Sequence, residues 1–101
     1  MEKTKIDIDE DLKDLIPQFL ENRKRDVESL LQLSQNKDLS AIVQLAHKVK
    51  GTAAGYGFTR LSELAHQMEQ LAKKEDSTSL PELALEMKRH FDSIDIHFVP
   101  M

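Results

Sequence analysis

His47, Lys48 and Lys50 fall within one helical turn of each other, and an imidazole with two nearby ammonium groups can hold an anion transiently on a ring nitrogen. Their geometry follows from the residues around them. Leu39, Ile42, Ala46, Val49, Ala53 and Tyr56 recur at three- and four-residue steps, which predicts one buried face of an α-helix. At about 100° per residue, His47 points roughly 130° from the centre of that stripe, alongside Ser40, Gln44, Gly51, Ala54 and Gly55. The imidazole is therefore expected to face solvent.

Glycine is out of place on such a face. Inside a helix it costs about 1 kcal/mol relative to alanine, and its physical use here is clearance for another molecule's surface. Lys48 lies at the next position and Lys50 nearly a turn on, so both ammonium groups are expected to reach an anion held on His47. Val43, one turn earlier, adds apolar contact to a docking face made with Gln44, Gly51, Ala54 and Gly55. This set fits a phosphoryl group that arrives on one protein and leaves on another.

The elements that must position this face are legible in outline. Asp38 is placed to cap the helix that carries His47, and Gly57 with Phe58 reads as a Schellman-type stop. Thr59 is expected to cap the next helix, whose buried stripe is Leu61, Leu64, Ala65, Met68, Leu71 and Ala72. The two helices then form a tight antiparallel hairpin. With its turn centred on Phe58, His47 lies eleven residues before it and Glu69 eleven after, so the two sit at the same height. Glu69 lies at the edge of its stripe, where a carboxylate accepts a hydrogen bond from one imidazole nitrogen and leaves the other free as nucleophile.

His47-x-x-Lys50-Gly51, followed by Gly57-Phe58, Leu61, Leu64 and Met68-Glu69, resembles the signature of histidine phosphotransfer (HPt) domains, the intermediates of multistep bacterial phosphorelays. The likeness extends upstream to Pro17-x-Phe19-Leu20-x-Asn22-Arg23 and covers most of the chain. HPt domains commonly carry Glu or Gln at the position of Glu69. The resemblance implies a phosphohistidine at His47, response-regulator receiver domains and a hybrid sensor histidine kinase as partners, and Mg²⁺ supplied by the receiver, with no cofactor of the chain's own. Independently of the resemblance, the lack of cysteine is compatible with a reducing cytoplasm, and a start of Met1-Glu2-Lys3-Thr4-Lys5 leading into acidic residues predicts a soluble, unexported protein.

Elsewhere the sequence predicts an all-α protein, an antiparallel four-helix bundle with a short additional N-terminal helix, as one domain over residues 1–101. Ile6 to Glu10 alternates apolar and acidic residues but has no evident strand partner, so it reads as a tail. Asp9 or Asp11 caps a short helix through Ile16, and Pro17 opens the first long helix. Leu20, Val27, Leu30 and Leu31 mark its buried side, with Phe19 and Leu33 at the margin; Asn22 to Asp26 reads as a solvated charged face, the alternative being a rim contact for an acidic partner. Gln35-Asn36-Lys37 is a polar break and Lys73 to Thr78 a polar linker. Ser79 and Glu82 form an expected capping box around Pro81, before a last stripe of Leu80, Leu83, Ala84, Met87, Phe91 and Ile94.

Composition excludes several classes. With 101 residues, 40% hydrophobic, and only three glycines and three prolines, one modest helical core is available. No cysteine means no thiolate metal site or disulfide, and a net charge of −4 argues against nucleic acid. No run is long enough for a membrane span. Glu63-x-x-His66 matches a di-iron helix motif but has no second copy, and His66, His90 and His97 read as structural or surface residues. His90 and His97 share a helix face in this reading. No P-loop or nucleophile elbow is present, so neither an ATP site nor autokinase activity is expected, and the chain is read as a monomeric non-enzyme. The competing reading is a non-catalytic helical interaction module that uses the Gly51, Ala54 and Gly55 face.

Overall fold

The computed structural model describes residues 3–101. Four helices, α1 (Ile16–Asn36), α2 (Leu39–Gly55), α3 (Thr59–Lys73) and α4 (Leu80–Asp92), follow one another through short connections. Each packs on the next and α4 returns against α1, which is the up-down-up-down ring of an all-α antiparallel bundle. A short 3₁₀ helix, Glu10–Leu15, precedes α1 and is capped by Asp9, whose Oδ1 accepts from the Asp11 N–H at 2.9 Å. Among the described residues, no helix is long and apolar enough to cross a membrane.

The ends of α2 explain its fixed position. Asp38 Oδ1 accepts from the Ala41 N–H at 3.3 Å and starts the helix. At the other end, Phe58 N–H bonds the Ala53 carbonyl at 2.8 Å and Gly57 N–H the Ala54 carbonyl at 3.2 Å, the paired bonds of a Schellman stop. Gly57 adopts φ 87°, so backbone conformation calls for glycine here. Phe58 is fully buried, its ring 4.7 Å from that of Phe19. Thr59 is the first residue of α3 and not its cap; Phe58 holds the cap position without a side-chain bond. The expected Ser79–Glu82 capping box is likewise not formed, although Pro81 does occupy the first turn of α4.

The stripes of α2 and α3 meet as the periodicity requires, with Ile42, Ala46, Val49 and Ala53 against Leu61, Leu64, Ala65 and Met68. The inward face of α1 is rotated from its expected setting. Ile16, Phe19, Val27 and Leu30 are buried together with Arg23, Asp26 and Ser34, while Leu20, Leu31 and Leu33 are only partly covered. Phe19 is drawn in by the Tyr56 and Phe58 rings, which turns Arg23, one turn further on, inward as well. The run from Asn22 to Asp26 is therefore not wholly a solvated face.

The N-terminal alternation is a strand and not a tail. β1 (Thr4–Asp9) pairs in parallel with β2 (Ile94–Val99), in a register that sets Thr4 opposite Ile94 and Ile8 opposite Phe98. The antiparallel ring places the start of α1 and the end of α4 at one end of the bundle, so the flanking segments lie side by side. Thr4, Ile6 and Ile8 share one face of the ribbon with Ile94, Ile96 and Phe98, and Ile8 is buried. Ile94 belongs to this ribbon, and His97 on β2 shares no helix face with His90.

Candidate functional site

The outward face of α2 carries Gln44, His47, Lys48, Gly51, Ala54 and Gly55, all exposed, with Val43 and Lys50 half-buried at its margins. A β-carbon built on Gly51 or Gly55 meets nothing within 4 Å, so neither glycine is required by packing inside the chain. His47 stands out from this face with 68% of its side chain exposed. Its Nδ1 is 2.9 Å from Oε2 of Glu69 on α3, at the matching height across the hairpin. The Ser62 hydroxyl donates to the Lys50 carbonyl at 2.9 Å and pins the two helices beside this pair.

Glu69 is more enclosed than a stripe-edge position predicts, with 2% of its side chain exposed. A buried carboxylate needs partners, and both oxygens have them. Lys50 Nζ donates to Oε1 at 2.7 Å, and Lys73 Nζ lies 3.4 Å from Oε2. The Lys50 bond holds the Glu69 carboxyl well below its ordinary 4.5, at about 2, against the opposing effect of burial and with further help from His47 and Lys73. Glu69 is thus an ionised, acceptor-only group at neutral pH, and Nδ1 must carry the shared proton. In the neutral form of the ring the lone pair is then on Nε2.

Lys48 and Lys50 do not converge on one partner. Lys50 turns toward α3 and Glu69, while Lys48 turns toward α1, its Nζ donating to Asp26 Oδ1 at 3.3 Å. Asp26 Oδ2 in turn accepts from Arg23 Nε at 2.9 Å. For three residues of this arrangement the sequence pattern gives no sign of their place in it. Lys73 was assigned to a linker, although it lies four residues beyond Glu69, the spacing of neighbours on a helix face. Arg23 and Asp26 were hidden by a run of charge, yet they fall on the three- and four-residue steps that connect Phe19 to Leu30.

The other histidines are set differently. His66 is exposed, its Nδ1 3.9 Å from Glu69 Oε1 at the border of the cluster. His90 is half-buried on α4; its Nε2 is enclosed without a partner among the described residues, and burial, with the nearby Arg60 charge, lowers its pKa. Among the described residues, no three His, Asp or Glu side chains converge as a metal-ligand set.

Of the four histidines, His47 alone joins an exposed imidazole to a buried carboxylate bond. A family model described as Hpt domain matches residues 14–96, a span that takes in all four helices. The chain belongs to the Hpt domain family. Comparison with curated proteins and with solved structures gave no match. Hpt domains are phosphotransfer intermediates of two-component phosphorelays and work with receiver domains and kinases. The matched span contains the whole α2 face and both carboxylates that reach it, Glu69 from α3 and Asp26 from α1.

Proposed function

We propose that His47 is the phosphoacceptor of this Hpt domain and that it carries a phosphoryl group on Nε2 between aspartates of receiver domains. The observation that carries this reading is the solvent-facing imidazole whose Nδ1 is occupied by a buried, ionised Glu69. The Nε2 lone pair attacks the phosphorus of a receiver's aspartyl phosphate in line. A phosphorus–nitrogen bond forms, the phosphorus–oxygen bond to the aspartate breaks, and the electron pair leaves on that carboxylate. The Nδ1 proton stays in its bond to Glu69, so the positive charge that develops on the ring faces a carboxylate. The same chemistry in reverse passes the group to a second receiver.

In this reading the receiver brings Mg²⁺ and most of the catalytic groups, and this chain contributes no cofactor and no nucleotide site. Lys50 and Lys48 add positive charge on the two sides of His47. Coulomb's law gives about 1 kcal/mol for a unit-charge pair at 4 Å in water and about 4 at an effective dielectric of 20, so both matter most once docking excludes water. Gly51, Ala54 and Gly55 form the clearance on which the receiver settles, with Val43 and Gln44 at its edge. The partners are receiver domains and a hybrid sensor histidine kinase, met by a monomer in the cytoplasm.

The test is transfer from a panel of aspartyl-phosphorylated receiver domains, with Mg²⁺, to the wild type and to His47→Gln. Rapid, acid-labile and alkali-stable labelling of the wild type, absent from the variant, is the expected outcome. A folded wild type that no receiver labels would return the Gly51 face to the competing reading of a helical interaction module.

A further inference from the structure

Arg23 and Asp26 form a mostly buried ion pair on the inward side of α1. Their side chains are 9% and 12% exposed, the Arg23 guanidinium lies 5.3 Å from the centre of the Phe19 ring, and Phe19 packs on Tyr56 and Phe58. Desolvating two charges offsets most of their attraction, and apolar residues of similar volume in such a place are often neutral or more stabilising. Stability alone therefore does not account for the pair. What the pair adds is a second carboxylate oxygen: Asp26 Oδ1, 3.3 Å from the Nζ of Lys48, the residue next to His47.

The charge balance of the three residues is informative. A lone aspartate bonded to Lys48 would cancel the lysine's charge, whereas Arg23 already neutralises Asp26. The triad keeps one net positive charge while the ammonium is held. Lys48 otherwise projects into solvent, with about half of its side chain exposed and many rotamers open to it. We propose that the Arg23–Asp26 pair of α1 is a positioning device that holds the Lys48 ammonium on the α1 flank of the His47 face, where the anion that docking brings would meet it. Arg23 and Asp26 act through Lys48 and touch neither imidazole nor phosphoryl group. The inference rests on the phosphotransfer reading for its purpose, but the tether itself is a separate physical claim.

Two measurements separate them. In single-turnover transfer from a receiver that labels His47, Asp26→Asn and Lys48→Met are each expected to slow labelling about fivefold, with no further loss when the two are combined. Because Asp26→Asn leaves Arg23 buried without its partner, the doubly neutral Arg23→Met/Asp26→Asn variant serves as the control for folding and should show the same loss. Equal slowing by Asp26→Asn in the wild-type and Lys48→Met backgrounds would overturn the proposal, since the aspartate would not be acting through the lysine. The second measurement needs no receiver. Lys48 should be modified by an amine-acetylating reagent about threefold faster in Asp26→Asn than in the wild type, read by mass spectrometry of the peptide. An unchanged rate would show that no tether exists. Dependence on Asp26 in a chain that no receiver labels would keep the tether and reject the relay.

Discussion

His47 has a mostly buried carboxylate on either side, and the two are used differently. Glu69, on α3, bonds the imidazole itself and gathers Lys50 and Lys73 around the same two oxygens. Asp26, on α1, is shared between Arg23 and Lys48 and makes no bond to the ring. The difference comes from α2, where successive residues fan out by about 100° and so deliver the ring and one lysine to α3 and the other lysine to α1. On the proposed phosphotransfer reading, one helix turn thereby divides two tasks: the α3 flank sets which nitrogen is free, and the α1 flank sets where a charge is held.

The largest effect that separates the flanks should come from Glu69→Ala. It removes the acceptor that keeps the proton on Nδ1 and leaves Lys50 and Lys73 beside the ring without a counter-charge. Transfer to His47 should fall by about 10²-fold, the lower range of what losing one preorganised electrostatic partner of a developing charge costs, against the roughly fivefold expected at Asp26. Equal losses at the two carboxylates would mean that ring orientation is not the special task of the α3 flank. Circular dichroism at matched temperature would establish that the helices persist.

Lys50→Ala should be milder. Glu69 keeps His47 and Lys73 as partners, so the tautomer survives while one positive charge is lost. A slowing of about fivefold to tenfold is expected, with labelling still complete at long times. If Lys50→Ala abolished labelling as His47→Gln does, the lysine would belong to the chemistry itself and the division between flanks would need redrawing.

How much of this was open to the sequence depends on how far each feature reaches. The α2–α3 hairpin was legible because its determinants are local: the stripe of α2, the Gly57 stop, and a turn short enough to count across from His47 to Glu69. The β1–β2 ribbon was not, because each strand's partner lies at the opposite end of the chain and alternation alone cannot name it. The burial of Arg23 and Asp26 was masked for a different reason. Charge is read as solvated by default, and only the packing of Phe19 under Tyr56 and Phe58 sets the rotation of α1 that turns this pair inward. Lys73 escaped notice because a polar run after a helix looks the same whether its first residue belongs to the last turn or to the loop.

The smallest effect is one of stability, and it tests whether the α3 flank is a single electrostatic unit. Glu69 titrates at about 2 in the folded chain against an ordinary 4.5, with the Lys50 hydrogen bond as the largest cause. A carboxyl with a lowered folded pKa binds more protons when unfolded, so its contribution is complete above about 4.5 and is lost as pH falls toward about 2. His90 contributes in the same direction at higher pH: the folded state loses ground as pH falls below 6.5, because burial, and then the Arg60 charge, disfavour the proton. Urea unfolding from pH 7.5 to pH 2 should therefore show two declines. Glu69→Gln should remove the lower one and leave the upper. Lys50→Ala should narrow the lower decline by returning the Glu69 pKa toward 4.5, and a lower limb unchanged by Lys50→Ala would mean that His47 and Lys73 hold the carboxylate without it.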